Sequence, residues 1–258
     1  MKLYIKFLGI HLRSAMQHKA AFFMMMLSQI TTSLASLLIV YFLFDRFGQV
    51  DGFNFEEVLI CYAVVLMAFS LAECFVRGLD VFPRLLGNGQ FDRMLVRPRN
   101  EVLQVLASTV EFGRIGRAIQ AVAVLAYAIP NCAVVWTGAR VLTLVMMILG
   151  GTVMFAALFW IYAGLSFFTT EGMEFMNVFT DGSRDHGAYP VSVYGREALR
   201  FYTYVVPLAC IQYYPLMYLL GRWNSPWLII CPLAGGGLLL PAWAIWRLGL
   251  RHYRSTGS

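Results

Sequence analysis

The residues that could do chemistry are few and poorly spaced for it. Glu171 and Glu174 are the nearest approach to paired carboxylates for acid–base work, and the plainer reading is a solvated helix face. The four histidines (His11, His18, His186, His252) sit in polar segments, and none makes a metal-ligand pair with a cysteine. Cys61, Cys74, Cys132, Cys210 and Cys231 fall in apolar surroundings with no CxxC pair, so they read as small buried hydrophobes. There is no HExxH and no GxSxG. A P-loop needs a lysine behind a glycine-rich turn, and the last lysine in the chain is Lys19. Any ATP chemistry must therefore come from another chain. No metal or cofactor is expected on this one.

What remains is charge. The stretch Arg77–Asn100 carries five arginines against Asp80 and Asp92 and is the longest polar interruption in the first half of the sequence. Gly87-Asn88-Gly89 marks a turn, and Asp92 to Val96 predicts a helical turn that Pro98 stops. The elements that must hold this stretch are apolar. Of 258 residues, 59% are hydrophobic and 13% charged, about half the charge of a soluble domain. The class is an all-α polytopic membrane protein, a single transmembrane domain over 1–258. The net charge of +6 follows the gaps between apolar blocks, which fits a lipid bilayer and not a nucleic acid.

Lys2, Lys6, Arg13 and Gln17 share one arc of a helical wheel, which predicts an interfacial helix over 1–19. Ala20–Phe44 has 25 residues without a charge, enough to cross about 30 Å of hydrocarbon. Gln29, Thr32, Ser33 and Ser36 recur within it at helical spacing, as helix glue or as the wall of a pathway. The second span is Val58–Val76, with Glu73 in reach of Arg77 at i+4. The third is Ala118–Thr137. The fourth, Val141–Phe168, could bend at Gly150-Gly151. Thr169–Arg200 reads as a second polar segment on the cytoplasmic side, irregular over Asp181–Gly187 and helical over Val193–Arg200. The fifth span is Phe201–Leu220 and the sixth Pro226–Trp246, both rich in Pro or Gly and expected to be kinked. The expected inside segments hold 17 of the 20 basic residues and the outside ones only Arg46, Arg140 and Arg222, which predicts both termini in the cytoplasm.

The central loop resembles a known family. Arg77-Gly78-Leu79-Asp80, followed by Gly89-Gln90-Phe91-Asp92-Arg93-Met94-Leu95-Val96-Arg97-Pro98, is similar to the loop after the second span in permease subunits of bacterial type-2 ABC exporters of the six-span branch. Tyr189-Pro190 to Arg200 and the terminal Tyr253 to Ser258 resemble the same branch. The resemblance implies a non-catalytic permease in the bacterial inner membrane. It would pair with a second permease, a different chain in preference to a second copy, and with two cytoplasmic ATPase subunits that bind ATP and magnesium. It also implies that the loop transmits ATPase closure. Phe91, Met94 or Leu95 would be the apolar knob, with Asp92, Arg93 and Arg97 fixing its orientation. Tyr194, Arg196 and Glu197 would make a second cytoplasmic contact, and Gln29, Ser33, Ser36, Gln212 and Tyr213 could line a shared pathway. The competing classes are an ion-coupled secondary transporter, which would show midplane carboxylates, and a lipid-modifying membrane enzyme.

Overall fold

The computed structural model describes residues 2–169 and 175–253, without the side chains of Lys2 and Leu3. Glu171, Glu174 and the Arg254–Ser258 tail lie outside the described residues. Those described fold as helices with no strand among them. Five stretches are long and apolar enough to cross a membrane: Lys19–Phe47, Phe55–Gly87, Phe112–Asn131, Gly138–Leu165 and Trp227–His252.

Helix α1 (Lys2–Gln17) ends where His18 leaves helical geometry (φ −113°, ψ 67°), and α2 (Lys19–Phe47) starts at the next residue. The amphipathic α1 is tied down by Tyr4, whose hydroxyl donates to the Phe75 carbonyl at 2.5 Å, and by His11 against the Ala107 carbonyl at 3.0 Å. Helix α3 (Phe55–Asp80) is capped by Asn54, with Glu57 answering in a capping box. It is the axis of the molecule. Its most apolar window is 89% buried, whereas that of α2 is 11% buried, so α3 is wrapped on all sides and α2 lies at the periphery. Helices α7 (Ile115–Asn131) and α8 (Gly138–Leu165) flank α3. Between α3 and α7 run the short α4 (Phe82–Gly87), α5 (Gln90–Leu95) and α6 (Glu101–Ser108), then a 3-10 turn at Phe112–Arg114.

Two close approaches decide this packing. A Cβ on Gly78 would sit 2.0 Å from the Val105 carbonyl oxygen, so α3 and α6 touch through backbone. A Cβ on Gly150 would sit 2.4 Å from the Pro232 carbonyl oxygen. Helix α8 runs unbroken through Gly150-Gly151, and the pair admits a neighbouring backbone. That neighbour is the irregular part of the last span, where α13 (Trp227–Ile230), a 3-10 stretch (Cys231–Leu238) and α14 (Leu239–His252) follow one another.

The bundle has two ends. The far end carries Asp51, Gly52 and Glu57, with Arg222 donating to the Gly52 carbonyl at 2.9 Å and to Glu57 at 2.8 Å. The other end, rich in arginine, carries the α3–α7 connection. The expectation for Thr169–Arg200 fails here. This stretch does not stay at one end. Asn177, in α9 (Met176–His186), lines a cleft with Arg77 and Asp80, Gly187 meets Val65 midway along α3, and the Ser192 hydroxyl donates to Asp51 at 2.7 Å. The segment crosses from the arginine-rich end to the far end, helical over Asp181–His186 and not irregular. The fifth expected span, Phe201–Leu220, is also not one helix. It is broken into the end of α10 (Arg196–Tyr204), α11 (Leu208–Ile211) and α12 (Tyr213–Leu219). Helix α10 runs back beside α9, with Phe201 on Phe179 (6.3 Å) and Tyr202 on His186 (5.7 Å). Then α11 and α12 return to the far end, where a Cβ on Gly221 would lie 2.9 Å from Arg140. Pro207 denies the helix a donor, and Gln212 leaves ideal helical geometry (φ −116°). The result is a re-entrant hairpin.

Gly78→Ala should destabilise the isolated protein by about 1–3 kcal/mol, because the clashing atoms are backbone and cannot step aside. Gly87→Ala, with open space around it, is the control. Thermal unfolding in detergent checks both; equal midpoints would contradict the α3–α6 contact.

Candidate functional site

The arginine-rich end is built on one buried carboxylate. Glu73 is 4% exposed on α3. Arg117 of α7 reaches its Oε2 at 2.8 Å, Arg114 its Oε1 at 3.2 Å and Arg77 the same oxygen at 3.5 Å. Arg77 also pairs with Asp80, and its Nε lies 3.3 Å from Glu111 Oε1. Arg114 closes the circuit with Glu111 at 2.9 Å. Three guanidiniums thus meet three carboxylates, and the group is neutral as a whole. A buried charge persists only where it is paired this fully. The expected Glu73–Arg77 pair is present but is the longest of the three contacts to Glu73. The stronger partners, Arg114 and Arg117, lie beyond any local spacing rule. Glu111 stands outside the spans. Burial opposes its charge, yet hydrogen bonds and charge from Arg114 and Arg77 hold its carboxyl below the ordinary range. Its contribution to stability is therefore full above the ordinary carboxylate pKa and is lost as pH falls through the depressed one.

Polar contacts extend from this cluster to α2. Arg114 donates to Gln29 Oε1 at 3.2 Å. Ser33 donates to Gln120 Oε1, and the Tyr62 hydroxyl donates to the Ser33 carbonyl at 2.7 Å. These bonds hold a helix that buries little else. Beside them lies a cavity of about 310 Å³ whose wall includes Thr32, Ser33, Ser36, Tyr62, Arg117, Arg184 and Asp185. Arg184 is stacked over the Phe69 ring (5.1 Å) and paired with Asp181 and Asp185, both at least half exposed. Of the five expected pathway residues, Ser33 and Ser36 line this cavity and Gln29 belongs to the ion cluster. Gln212 is fully buried, taking a bond from Cys61 Sγ (2.9 Å) and giving one to the Tyr189 carbonyl (2.8 Å). Tyr213 packs on Phe53 and Trp223 at the far end. Neither is among the residues lining this cavity.

The loop itself is a helix-turn-helix. Gly89 adopts φ 65°, a left-handed geometry that lets α5 start directly after α4, and Pro83 sits in the first turn of α4, where its missing N–H costs nothing. Gln104 Nε2 donates to the Met94 carbonyl at 2.9 Å and closes the C-terminal end of α5. Phe91 is fully buried within the chain, not an outward knob. Its ring packs edge-on against Phe82 (4.9 Å), Tyr253 (5.5 Å), Phe167 (5.6 Å) and Trp246 (6.1 Å). Met94 is half-buried on the same core. The outward surface of the loop is Arg93, Leu95, Val96 and Arg97, with Val96 82% exposed. Asp92 is half-buried and accepts from the Tyr253 hydroxyl at 2.8 Å. Tyr194, Arg196 and Glu197 do not join this surface. Tyr194 lies on His186 (5.0 Å), two residues from the Ser192–Asp51 bond at the far end, while Arg196 and Glu197 are exposed, Glu197 pairing with Arg200 at 3.1 Å.

A protein-family profile described as ABC-2 family transporter protein matches residues 30–257. The chain belongs to that family. No curated protein and no solved structure matches it. As a family member the chain is a multi-pass membrane permease of an ABC transporter, a class that works with ABC ATPase subunits. The match runs from the middle of α2 through the loop and the ion cluster to the tail.

Glu73→Gln in this permease should cost about 3–5 kcal/mol, since three guanidiniums would lose a buried counter-charge. Phe91→Ala should cost a similar amount, about 3–5 kcal/mol, by opening a cavity among four rings. Both losses should register as lower melting midpoints of the purified permease alone. An unchanged midpoint for Phe91→Ala would return that ring to the partner-facing surface.

Proposed function

We propose that this permease is the translocating subunit of an ATP-driven exporter, non-catalytic itself, in a bacterial inner membrane with both termini cytoplasmic. Its outward loop surface, Arg93, Leu95, Val96 and Arg97, docks on cytoplasmic ATPase subunits that bind the ATP and magnesium. Its second permease is a different chain in preference to another copy. The observation that carries this reading is the loop. It presents two exposed apolar side chains between arginines, on a helix pair locked to the bundle by a buried aromatic core. An exposed knob on a rigid base suits the transfer of motion. Charge supports the orientation. Moving Arg184, Arg196 and Arg200 out of the expected inside count of 17 still leaves 14 basic residues on that side by sequence.

The pathway reading narrows to Ser33 and Ser36. Thr32 and Ser36 of α2 line the cavity together with Asp185 of α9, whose carboxylate is more than half exposed. Carboxylates exposed alongside the middle of a membrane bundle are costly against lipid. We take this face to line an aqueous path shared with the second permease.

Two experiments test this. Arg97→Glu should leave the melting midpoint of the permease unchanged while weakening ATPase pull-down by about 2 kcal/mol, roughly thirtyfold. Retained pull-down at wild-type strength would remove the loop from the interface. In a background without native cysteines, a cysteine at Gly52, Ala139, Ser192 or Asn224 should react with an impermeant thiol reagent applied to intact cells, and one at Asn88 should not. Ser192 separates this topology from one in which the whole 169–200 segment stays inside.

A further inference from the structure

Besides the bond from Gln104 to the Met94 carbonyl, α5 has a polar tie across the aromatic core, and it comes from the last described residue. Tyr253, just past α14, packs its ring on Phe91 (5.5 Å) and Phe167 (5.7 Å) and donates its hydroxyl to Asp92 Oδ1 at 2.8 Å. Burial first, then the hydrogen bond and charge of Asp92, push Tyr253 up to about 12, so the hydroxyl keeps its proton at neutral pH.

Helix α5 has six residues and starts at a left-handed glycine, so it cannot resist displacement through its own backbone. Where a push on it goes depends on what holds it. The rings of Phe82, Phe167 and Trp246 give it a floor, but ring contacts are weakly directional and permit sliding and rotation. A hydrogen bond to a carboxylate is directional and stronger than a neutral one. The anchor at its other end is firm. Trp246 is 1% exposed, and a Cβ on Gly249 would fall 2.4 Å from the Phe167 ring, so the last turns of α14 are seated against the end of α8.

We propose that Tyr253 is a positioning residue: through Asp92 it fixes α5 to the end of α14, so that displacement of the loop carries the last helix with it. The inference rests on the reading of α5 as the ATPase-facing element. The stroke then enters the bundle at two places, through α4 into α3 and through Tyr253 into α14 and α8.

The test uses the full complex of permease and ATPase in lipid nanodiscs. Spin labels go on Gln90→Cys and Leu248→Cys, two exposed positions on α5 and α14 outside the docking surface, with Cys61, Cys74, Cys132, Cys210 and Cys231 replaced. Pulsed dipolar distances are measured without nucleotide and after trapping with ATP and vanadate. With Tyr253 intact, one distance peak is expected, the same in both states. In Tyr253→Phe, which keeps both ring contacts, the ATPase should still co-purify in wild-type amount, while the trapped-state peak shifts and broadens. Asp92→Leu, removing the acceptor instead, should behave as Tyr253→Phe. A single unmoved peak in Tyr253→Phe, or a peak that shifts on trapping with Tyr253 intact, overturns the proposal. Failure of the ATPase to co-purify with the labelled wild-type chain overturns the loop reading and the proposal with it.

Discussion

A carboxylate inside an apolar bundle cannot stand alone, and Glu73 sets the terms for the rest of this molecule. Desolvating its charge is tolerable only because three guanidiniums converge on it. Those arginines come from α3 and from the entry to α7, so the chain between them must return to where it left. The α4–α5–α6 excursion is therefore a closed detour. The ends of the excursion are pinned by the ion cluster, and its middle is pinned by Phe91 under the aromatic floor. Both anchors are internal, which leaves the outward surface of α5 rigid and unencumbered.

The same economy governs the hydrophobic part. Helix α3 is surrounded because its neighbours bring backbone against it at Gly78 and, through α8, against the last span at Gly150. Close backbone approach is how helices associate where lipid removes much of the hydrophobic driving force. Regular helix is kept where packing is tight, and irregular backbone appears at Val205–Pro207, Gln212 and Cys231–Leu238. Gln212 is covered and bonded to Tyr189 and Cys61, in keeping with the rule that broken helices in membranes need partners for the freed backbone, whereas Val205 and Leu233 in the other two stretches are more than half exposed.

Much of this was legible in the residues. Long charge-free runs report spans directly, because backbone in hydrocarbon has no partner but its own helix. The interfacial helix and the loop were equally open to reading, since charge periodicity and the glycine and proline positions fix them. The 176–220 region was not. Asp181, Arg184 and Asp185 lower its hydropathy to that of a solvated loop, although Arg184 pairs with both carboxylates and finds a ring. The i, i+3 spacing of Asp181 and Arg184 was the one available sign of a helix. Phe91 was ambiguous for a different reason. A lone aromatic in a polar loop looks the same whether it points out or in, and its partners Phe82, Phe167, Trp246 and Tyr253 are scattered along the chain. Arg114 and Arg117 carried the i, i+3 sign of one helix face, but nothing in sequence aimed that face at Glu73.

Helix α2 stands apart from this tightly determined interior. It is attached by polar bonds at Gln29 and Ser33, by the close approach of Met26 to Gly116 and by the buried Val40 and Phe44, and most of its remaining surface touches nothing in the chain. The free energy of folding hardly passes through that surface. Substitutions can accumulate there without unfolding the bundle, so a duplicated gene could drift on this one face toward a new companion or cargo while the machinery at the arginine-rich end is inherited intact.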